Sequence, residues 1–127
     1  MSRDIPPPSE SAIHQHVISY LRVALPPGSL FWSTPNESRR SLANASRLKA
    51  QGMTAGVGDI SLLIAPNGAY YELEVKSAIG RQTPRQMERQ NLVREAGGRY
   101  AVVRSIEETH NQLVAWNIPV KARMQLK

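Results

Sequence analysis

Two carboxylates and a lysine that could act together on a phosphate lie close together in the sequence. Asp59 precedes an apolar run, and Glu74 and Lys76 end the next one. Paired carboxylates supply the hard oxygen ligands that Mg²⁺ prefers, and this ion needs few protein ligands because it keeps several waters. A lysine beside them adds a compact positive charge that can stabilise charge developing on a phosphate. These residue types therefore predict a site for a divalent cation and a phosphate ester.

A β-hairpin must bring these residues together. Residues 59–65 and 70–76 are two strand-like runs separated by a turn containing Asn67-Gly68. Asn-Gly is a strong hairpin signal because both residues tolerate positive φ. If these two residues form the whole loop, the register places Asp59 opposite Lys76.

The same register divides the hairpin into two faces, since successive side chains of a strand point to opposite sides. The face predicted to join the core carries Ile60, Leu62, Ile64, Tyr71, Leu73 and Val75. The other face carries Asp59, Ser61, Leu63, Tyr70, Glu72, Glu74 and Lys76. Ser61 is then opposite Glu74, which makes Asp59 and Glu74 diagonal neighbours about 7–8 Å apart. A three-residue turn would move Asp59 to the core face, where an unpaired carboxylate is costly.

The pattern also allows a simpler interpretation. Asp59 and Lys76 could form a solvated ion pair, of the kind that contributes well under about 1 kcal/mol. Gly56-Val57-Gly58 argues against it, because glycines there indicate close approach or an unusual backbone. Glu72 and Glu74 also share a face in a chain short of acidic residues, so a cation would relieve their repulsion.

The remaining sequence predicts helices and strands around this hairpin. Helices are expected from Pro8-Ser9 to about Ala24, near Leu42–Lys49, from Thr83-Pro84 to Gly97-Gly98, and from Ser105 to about Trp116. Strands are expected at Leu30–Ser33 and Tyr100–Arg104, and residues 1–8 form a proline-rich arm. This order predicts one α/β domain over residues 1–127, with a central mixed β-sheet flanked by α-helices.

The composition favours a polyanionic partner. Sixteen Lys and Arg against ten Asp and Glu give a net charge of +6 in 127 residues, and nucleic acid is the commonest such partner. A basic protein with another role has the same composition, so charge alone does not decide. The chain has no cysteine, no apolar run long enough to span a membrane and no signal-peptide pattern, so we expect a cytoplasmic protein.

With these motifs in place, the sequence resembles the VRR-NUC family. The resemblance rests on G-V-G-D at 56–59, E-V-K at 74–76, T-P-R-Q at 83–86 and A-V-V-R-S at 101–105. It extends from S-E-S-A-I at 9–13 to the last helix. The family belongs to the restriction-endonuclease-like, PD-(D/E)xK superfamily, whose signature is an aspartate followed by Glu-x-Lys. One departure is Gly58, where the superfamily often has proline.

The resemblance implies roles for individual residues. Asp59 and Glu74 would bind a divalent ion, Mg²⁺ or Mn²⁺ in its place, with the Val75 carbonyl. Lys76 would be the catalytic lysine. Glu10 would be a further active-site acid and metal ligand, although an acid in a first helical turn is also favourable against the helix dipole.

Further polar residues are candidates with simpler explanations. The resemblance implies that Gln86 lines the site. The simpler explanation is that Gln86 completes a capping box with Thr83 and has no other role. Gln90 lies one helical turn after Gln86 on the same face and is a further candidate. His14 and His16 are two apart on a helix and are expected to be surface residues.

The resemblance also implies a substrate and an assembly. Stand-alone bacterial or phage members suggest a metal-dependent endonuclease acting on branched DNA such as flaps or four-way (Holliday) junctions, as a homodimer, in a bacterial cell or a phage-infected host. Phosphate contacts are expected from Arg39, Arg40, Arg47, Lys49, Arg81, Arg85 and Arg89. Two alternatives stay open: a branched-DNA-binding module that does not cut, and a sequence-specific restriction endonuclease.

Overall fold

A mixed sheet lies at the centre of the described part of the chain. The structure is a computed structural model, and it describes residues 5–34 and 57–120. The strands are β1 (Leu30–Ser33), β2 (Ile60–Ile64), β3 (Ala69–Val75) and β4 (Arg99–Val103), in the order β1-β2-β3-β4. The helices are α1 (Glu10–Ala24), α2 (Pro84–Glu95) and α3 (Ile106–Ala115). The helix predicted near residues 42–49 lies outside the described residues.

The helix boundaries follow the local signals in the sequence. Ser9 caps α1, its side chain accepting from the Ala12 N–H at 3.1 Å. Thr83 begins α2 with a capping box, and α2 is followed by Gly97 at φ +96°, a conformation that glycine adopts without strain. Ser105 caps α3. The predicted helices and strands in the described ranges are therefore confirmed to within one or two residues at their ends.

The two faces of the sheet are covered by different helices. Strand β2 pairs antiparallel with β1 and β3, whereas β3 and β4 are parallel and are joined through α2. On one face, the apolar side chains of β2 and β3 pack with the buried stripe of α1 and with Leu113 of α3. On the other face, α2 places polar side chains against β3. This arrangement confirms the predicted α/β fold, a central mixed β-sheet flanked by α-helices. No helix of the described ranges is long and apolar enough to cross a membrane.

The hairpin register differs from the predicted one by two residues. Ile64 is opposite Ala69, so the turn contains four residues, 65–68, rather than two. The Gly68 N–H donates to the Ile64 carbonyl at 2.8 Å, and the Ala65 N–H donates to the Ser29 hydroxyl at 3.0 Å instead of extending the hairpin. The prediction that Asp59 is opposite Lys76 and Ser61 opposite Glu74 was therefore wrong. A shift of two preserves the faces, so the predicted division into a core face and a polar face is confirmed.

Candidate active site

The corrected register makes the residues that carry the two candidate carboxylates direct neighbours across the hairpin. The pairing of β2 with β3 ends at Ile60 and Leu73, and Asp59 and Glu74 are the next residues on each side. They are thus cross-strand rather than diagonal neighbours. The Asp59 carboxylate is oriented by the Val75 N–H, which donates to its Oδ2 at 2.7 Å.

Glu74 is fully buried and only partly satisfied. Its Oε1 accepts from the Tyr100 hydroxyl at 2.8 Å and from Gln82 Nε2 at 3.0 Å. Its Oε2 is buried and has no hydrogen-bond partner among the described residues. A buried acceptor without a partner costs free energy, and a charged one costs more. Such an atom is unfavourable for stability and suited to binding a ligand.

Lys76 supplies positive charge at this unsatisfied oxygen. Its Nζ lies 3.5 Å from Glu74 Oε2, and only 9% of the residue is exposed. The Lys76 N–H donates to the Val103 carbonyl at 3.1 Å, which fixes the backbone at the end of β3. Lysine and carboxylate are thus held together at the open end of the hairpin.

Asp59 lies in an environment that disfavours its charge. Burial raises the pKa of its carboxyl, and the nearby charges of Glu10 and Glu74 raise it further, although the Val75 N–H and His14 act in the opposite direction. A cation bound between Asp59 and Glu74 would favour the ionised form.

These donors fit a divalent metal of the Mg²⁺ type. Two carboxylates, one with a buried oxygen that accepts no hydrogen bond from the described residues, supply hard ligands and leave coordination positions for water and substrate. Among the described residues there is no group of three or more His, Cys, Asp or Glu side chains arranged to hold a metal. Glu10 is exposed, and its charge raises the pKa of Asp59. Direct ligation by Glu10 and by the Val75 carbonyl therefore stays a prediction.

His14 is closer to the site than the sequence suggested. It is half-buried, and its Nε2 lies 3.1 Å from the Ser33 hydroxyl on β1. His16 is exposed, as expected of a surface residue, whereas His14 is only partly exposed and lies near Asp59. The spacing of Glu10 and His14, one helical turn apart, was the signal that both face the same way.

The glutamines are arranged differently from the prediction. Gln86 forms the capping box, its Oε1 accepting from the Thr83 N–H at 2.8 Å, so a catalytic role for it stays a prediction. Gln82 occupies the site instead, where its Nε2 donates to Glu74 and, at 3.2 Å, to Gln90 Oε1. Sequence reasoning missed Gln82 and Tyr100, because nothing local shows that a loop residue and a buried strand residue meet Glu74.

Glu72 is the second fully buried glutamate on this face. Arg89 on α2 donates to it through Nη2 at 2.6 Å and through Nε at 3.2 Å, and the Tyr70 hydroxyl and the Gly58 N–H donate as well. Burial alone would raise the pKa of Glu72, but the bonds from Arg89, Tyr70 and Gly58 hold it below its usual value. The countercharge that the sequence assigned to a metal is provided here by Arg89.

Steric crowding explains why position 58 is glycine. A Cβ there would lie 3.0 Å from both the Glu72 Cβ and the Leu73 carbonyl oxygen. Proline would meet these atoms and would also lack the N–H that donates to Glu72. Glycine in place of the proline that the resemblance implies therefore matches the local packing.

The residues predicted to contact phosphate differ in their surroundings. Arg81 and Arg85 are exposed, the first just before α2 and the second in its first turn. Arg89 is engaged with Glu72. Arg39, Arg40, Arg47 and Lys49 lie outside the described residues. Contacts of all seven side chains with DNA stay predictions.

Comparison with solved structures bears on the fold. One chain described as a VRR_NUC domain protein superposes with a TM-score of 0.68 at 19% identity, covering 86% of this chain and 88% of its own. This chain has the fold of a VRR-NUC domain. A second structure, described as a VRR_NUC domain, has a TM-score of 0.54 at 16% identity, with 85% and 97% covered. No family model matches the sequence, and no curated protein matches it.

The likeness agrees with the resemblance found in the sequence. Both structures are matched over most of their length, so the VRR-NUC fold extends over most of this chain. At these identities the likeness establishes the fold, and the chemistry must be argued from Asp59, Glu74 and Lys76 themselves.

Proposed function

We propose that this protein is a metal-dependent deoxyribonuclease that hydrolyses DNA phosphodiester bonds. The observation that carries the proposal is the buried Glu74 Oε2, which lacks a hydrogen-bond partner among the described residues and lies 3.5 Å from Lys76 Nζ. A nuclease site requires an oxygen that can bind a cation beside a positive charge that can contact phosphate. The VRR-NUC fold supports the same conclusion.

Asp59 and Glu74 would hold the ion, with Glu10 and the Val75 carbonyl as further proposed ligands. Bound there, Mg²⁺ would supply a water of lowered pKa and positive charge at the phosphate. The Val75 N–H keeps the Asp59 carboxylate in place, and Tyr100 and Gln82 keep Glu74 in place. Little reorganisation of these ligands is then needed when substrate arrives.

Lys76 would stabilise the charge that develops on the phosphate oxygens. Water adds to phosphorus, the bond from phosphorus to the 3′ oxygen breaks, and that oxygen takes up a proton. The ammonium of Lys76 is held by the end of β3 and by Glu74, so its position is set before the reaction. A preorganised charge in a site that excludes most water acts more strongly than the same charge in solvent.

The proposed substrate is branched DNA, bound by a homodimer. The net charge of +6 favours a polyanion, and exposed Arg81 and Arg85 lie near the loop and helix that carry Gln82 and Gln90. A domain of this size has few surfaces with which to address two strands. A two-fold homodimer, the commonest symmetric assembly, would present a symmetric pair of sites to such a substrate.

The test is cleavage of labelled four-way junction, flap and linear duplex DNA in Mg²⁺, in Mn²⁺ and in EDTA. Lys76→Met removes the proposed catalytic charge, and Arg22→Met is the matched control, since Arg22 is an exposed cation in the last turn of α1. We expect cutting in either metal, none in EDTA, loss in Lys76→Met and unchanged rates in Arg22→Met.

Other outcomes would identify the alternatives. Tight binding of branched DNA without cutting in either metal would contradict the proposal and indicate a binding module. A single cleaved sequence in duplex DNA would indicate a restriction endonuclease. Sedimentation of the protein with and without a four-way junction would test the homodimer.

A further inference from the structure

The backbone just before Asp59 is fixed by a buried side chain from the neighbouring strand. The Gly58 N–H donates to Glu72 Oε1 at 3.0 Å, and both groups are buried. The contact is close enough that a Cβ on Gly58 would be 3.0 Å from Glu72 Cβ. The glycine is needed for space rather than for its φ, which is outside the left-handed region.

Glu72 is itself held from three sides. Arg89 donates two hydrogen bonds to its two oxygens, and the Tyr70 hydroxyl donates to Oε2. Bidentate binding by arginine fixes the orientation of a carboxylate as well as its charge. A buried ion pair adds little net stability compared with apolar packing, so its presence suggests a positional role.

Consecutive residues of α2 connect to both candidate metal ligands. Arg89 holds Glu72, which holds the Gly58 backbone next to Asp59. Gln90 accepts from Gln82, which donates to Glu74. One turn of one helix is therefore connected to both carboxylates that must approach a common ion, to Glu74 through Gln82 and to Asp59 through Glu72 and the Gly58 backbone.

We propose that Glu72, clamped by Arg89, is a positioning residue that sets the Asp59 carboxylate relative to Glu74. The inference rests on the proposed nuclease function, because it concerns the geometry of that site. Glu72 does not contact the metal or the substrate in this scheme. It acts through one backbone N–H, and its effect is expected on metal affinity and kcat, with little change in the KM for DNA.

The experiment compares four variants of the full chain. Glu72→Leu removes the acceptor, Glu72→Gln keeps an acceptor oxygen and loses the charge, and Gly58→Ala pushes the backbone away while leaving the Glu72–Arg89 pair. Glu88→Gln is the control, since it removes an exposed carboxylate one residue before Arg89 on the same helix. The readouts are amide hydrogen exchange at Gly58 by NMR, Mn²⁺ affinity by calorimetry, and kcat and KM for DNA cleavage.

For Glu72→Leu and Gly58→Ala we expect Mn²⁺ affinity and kcat to fall about 10- to 100-fold, the range seen when groups that orient metal ligands are removed. Exchange at Gly58 should accelerate in Glu72→Leu, and Glu72→Gln should restore part of each loss. Glu88→Gln should match the wild type. If Glu72→Leu does not fold, the same losses in Gly58→Ala decide the question.

Wild-type Mn²⁺ affinity and kcat in a folded Glu72→Leu or Gly58→Ala protein would overturn the inference, whatever happened to stability. Failure of the wild type to bind Mn²⁺ or to cut DNA would overturn the proposed function separately. In that case, if the amide hydrogen exchange of Gly58 were the same in Glu72→Leu as in the wild type, the inference that Glu72 holds this backbone would also be wrong.

Discussion

Two buried glutamates on one face of β3 have opposite surroundings. Glu72 and Glu74 are each 0% exposed and lie two residues apart. Both oxygens of Glu72 accept hydrogen bonds, and Arg89 balances its charge. Glu74 accepts two bonds at Oε1, both from neutral groups, and none from described residues at Oε2.

The difference lies in what the neighbouring elements supply. An arginine reaches Glu72 from α2, whereas an amide and a phenol reach Oε1 of Glu74, and Lys76 Nζ lies 3.5 Å from its Oε2. Neutral donors orient a carboxylate without neutralising it. Glu72, in the middle of β3, therefore has the surroundings of a structural carboxylate, and Glu74, near the end of β3, has the surroundings expected of a carboxylate that binds a ligand.

The largest expected effect is on Glu74. Glu74→Gln should lower DNA cleavage by at least about 100-fold, because a metal supplies several kcal/mol of transition-state stabilisation. Its thermal stability should fall less than that of Glu72→Gln, since Glu74 makes one ion pair at 3.5 Å with Lys76 and has an oxygen without a hydrogen bond among the described residues, whereas Glu72 accepts two hydrogen bonds from Arg89. Cleavage rates and thermal unfolding measured on the same preparation check both parts. A strong loss of stability would show that Glu74, too, is structural.

Metal addition should test directly whether Glu74 holds the ion. Mn²⁺ at about 100 times its dissociation constant should stabilise the wild type by about 2.7 kcal/mol. Glu74→Gln should show little stabilisation, whereas Glu88→Gln should behave as the wild type. Thermal unfolding across a Mn²⁺ titration, with Ca²⁺ as a second series, measures this. Equal stabilisation of all three proteins would place the ion elsewhere.

Glu72→Gln should show the reverse pattern in metal-free buffer. Arg89 would lose its countercharge and Glu72 its ionised form, so we expect a loss of at least about 2 kcal/mol in unfolding free energy. Urea denaturation of this variant and of Glu88→Gln provides the measurement. Stability within error of the control would contradict the structural assignment of Glu72.

The smallest expected effect is on Tyr100. Tyr100→Phe removes one donor to Glu74 Oε1 and should weaken Mn²⁺ binding by about 10-fold, as loss of a group that orients a ligand does. Tyr71→Phe is the matched control, because Tyr71 packs on Trp116 with ring centroids 4.8 Å apart. Calorimetric titration of the two variants would reveal the difference. Equal affinities would mean that Gln82 alone orients Glu74.

Local signals in the sequence predicted most of the described elements. Caps at Ser9, Thr83 and Ser105 fixed where the helices begin, because a capping side chain bonds a backbone N–H within its own helix. Alternation along β2 and β3 fixed which side chains share a face. Both signals depend on a few consecutive residues, so they are visible without the fold.

The predicted hairpin register was wrong because a hydrogen bond to a residue outside the hairpin holds part of the turn. The Ala65 N–H bonds to Ser29, 36 residues away in sequence. A turn motif such as Asn-Gly carries no information about that contact. The error left Asp59, Glu74 and Lys76 on the predicted face, and it changed which of them are neighbours.

The sequence by itself determined the helices, the strands, the polar face of the hairpin and the candidate triad of Asp59, Glu74 and Lys76. The tertiary structure decided which buried carboxylate accepts hydrogen bonds at both oxygens and which has an oxygen that accepts none from the described residues. Arg89 reaches Glu72 across 17 residues and Tyr100 reaches Glu74 across 26. Such contacts depend on how α2 and β4 pack against β3, and no local periodicity encodes that geometry.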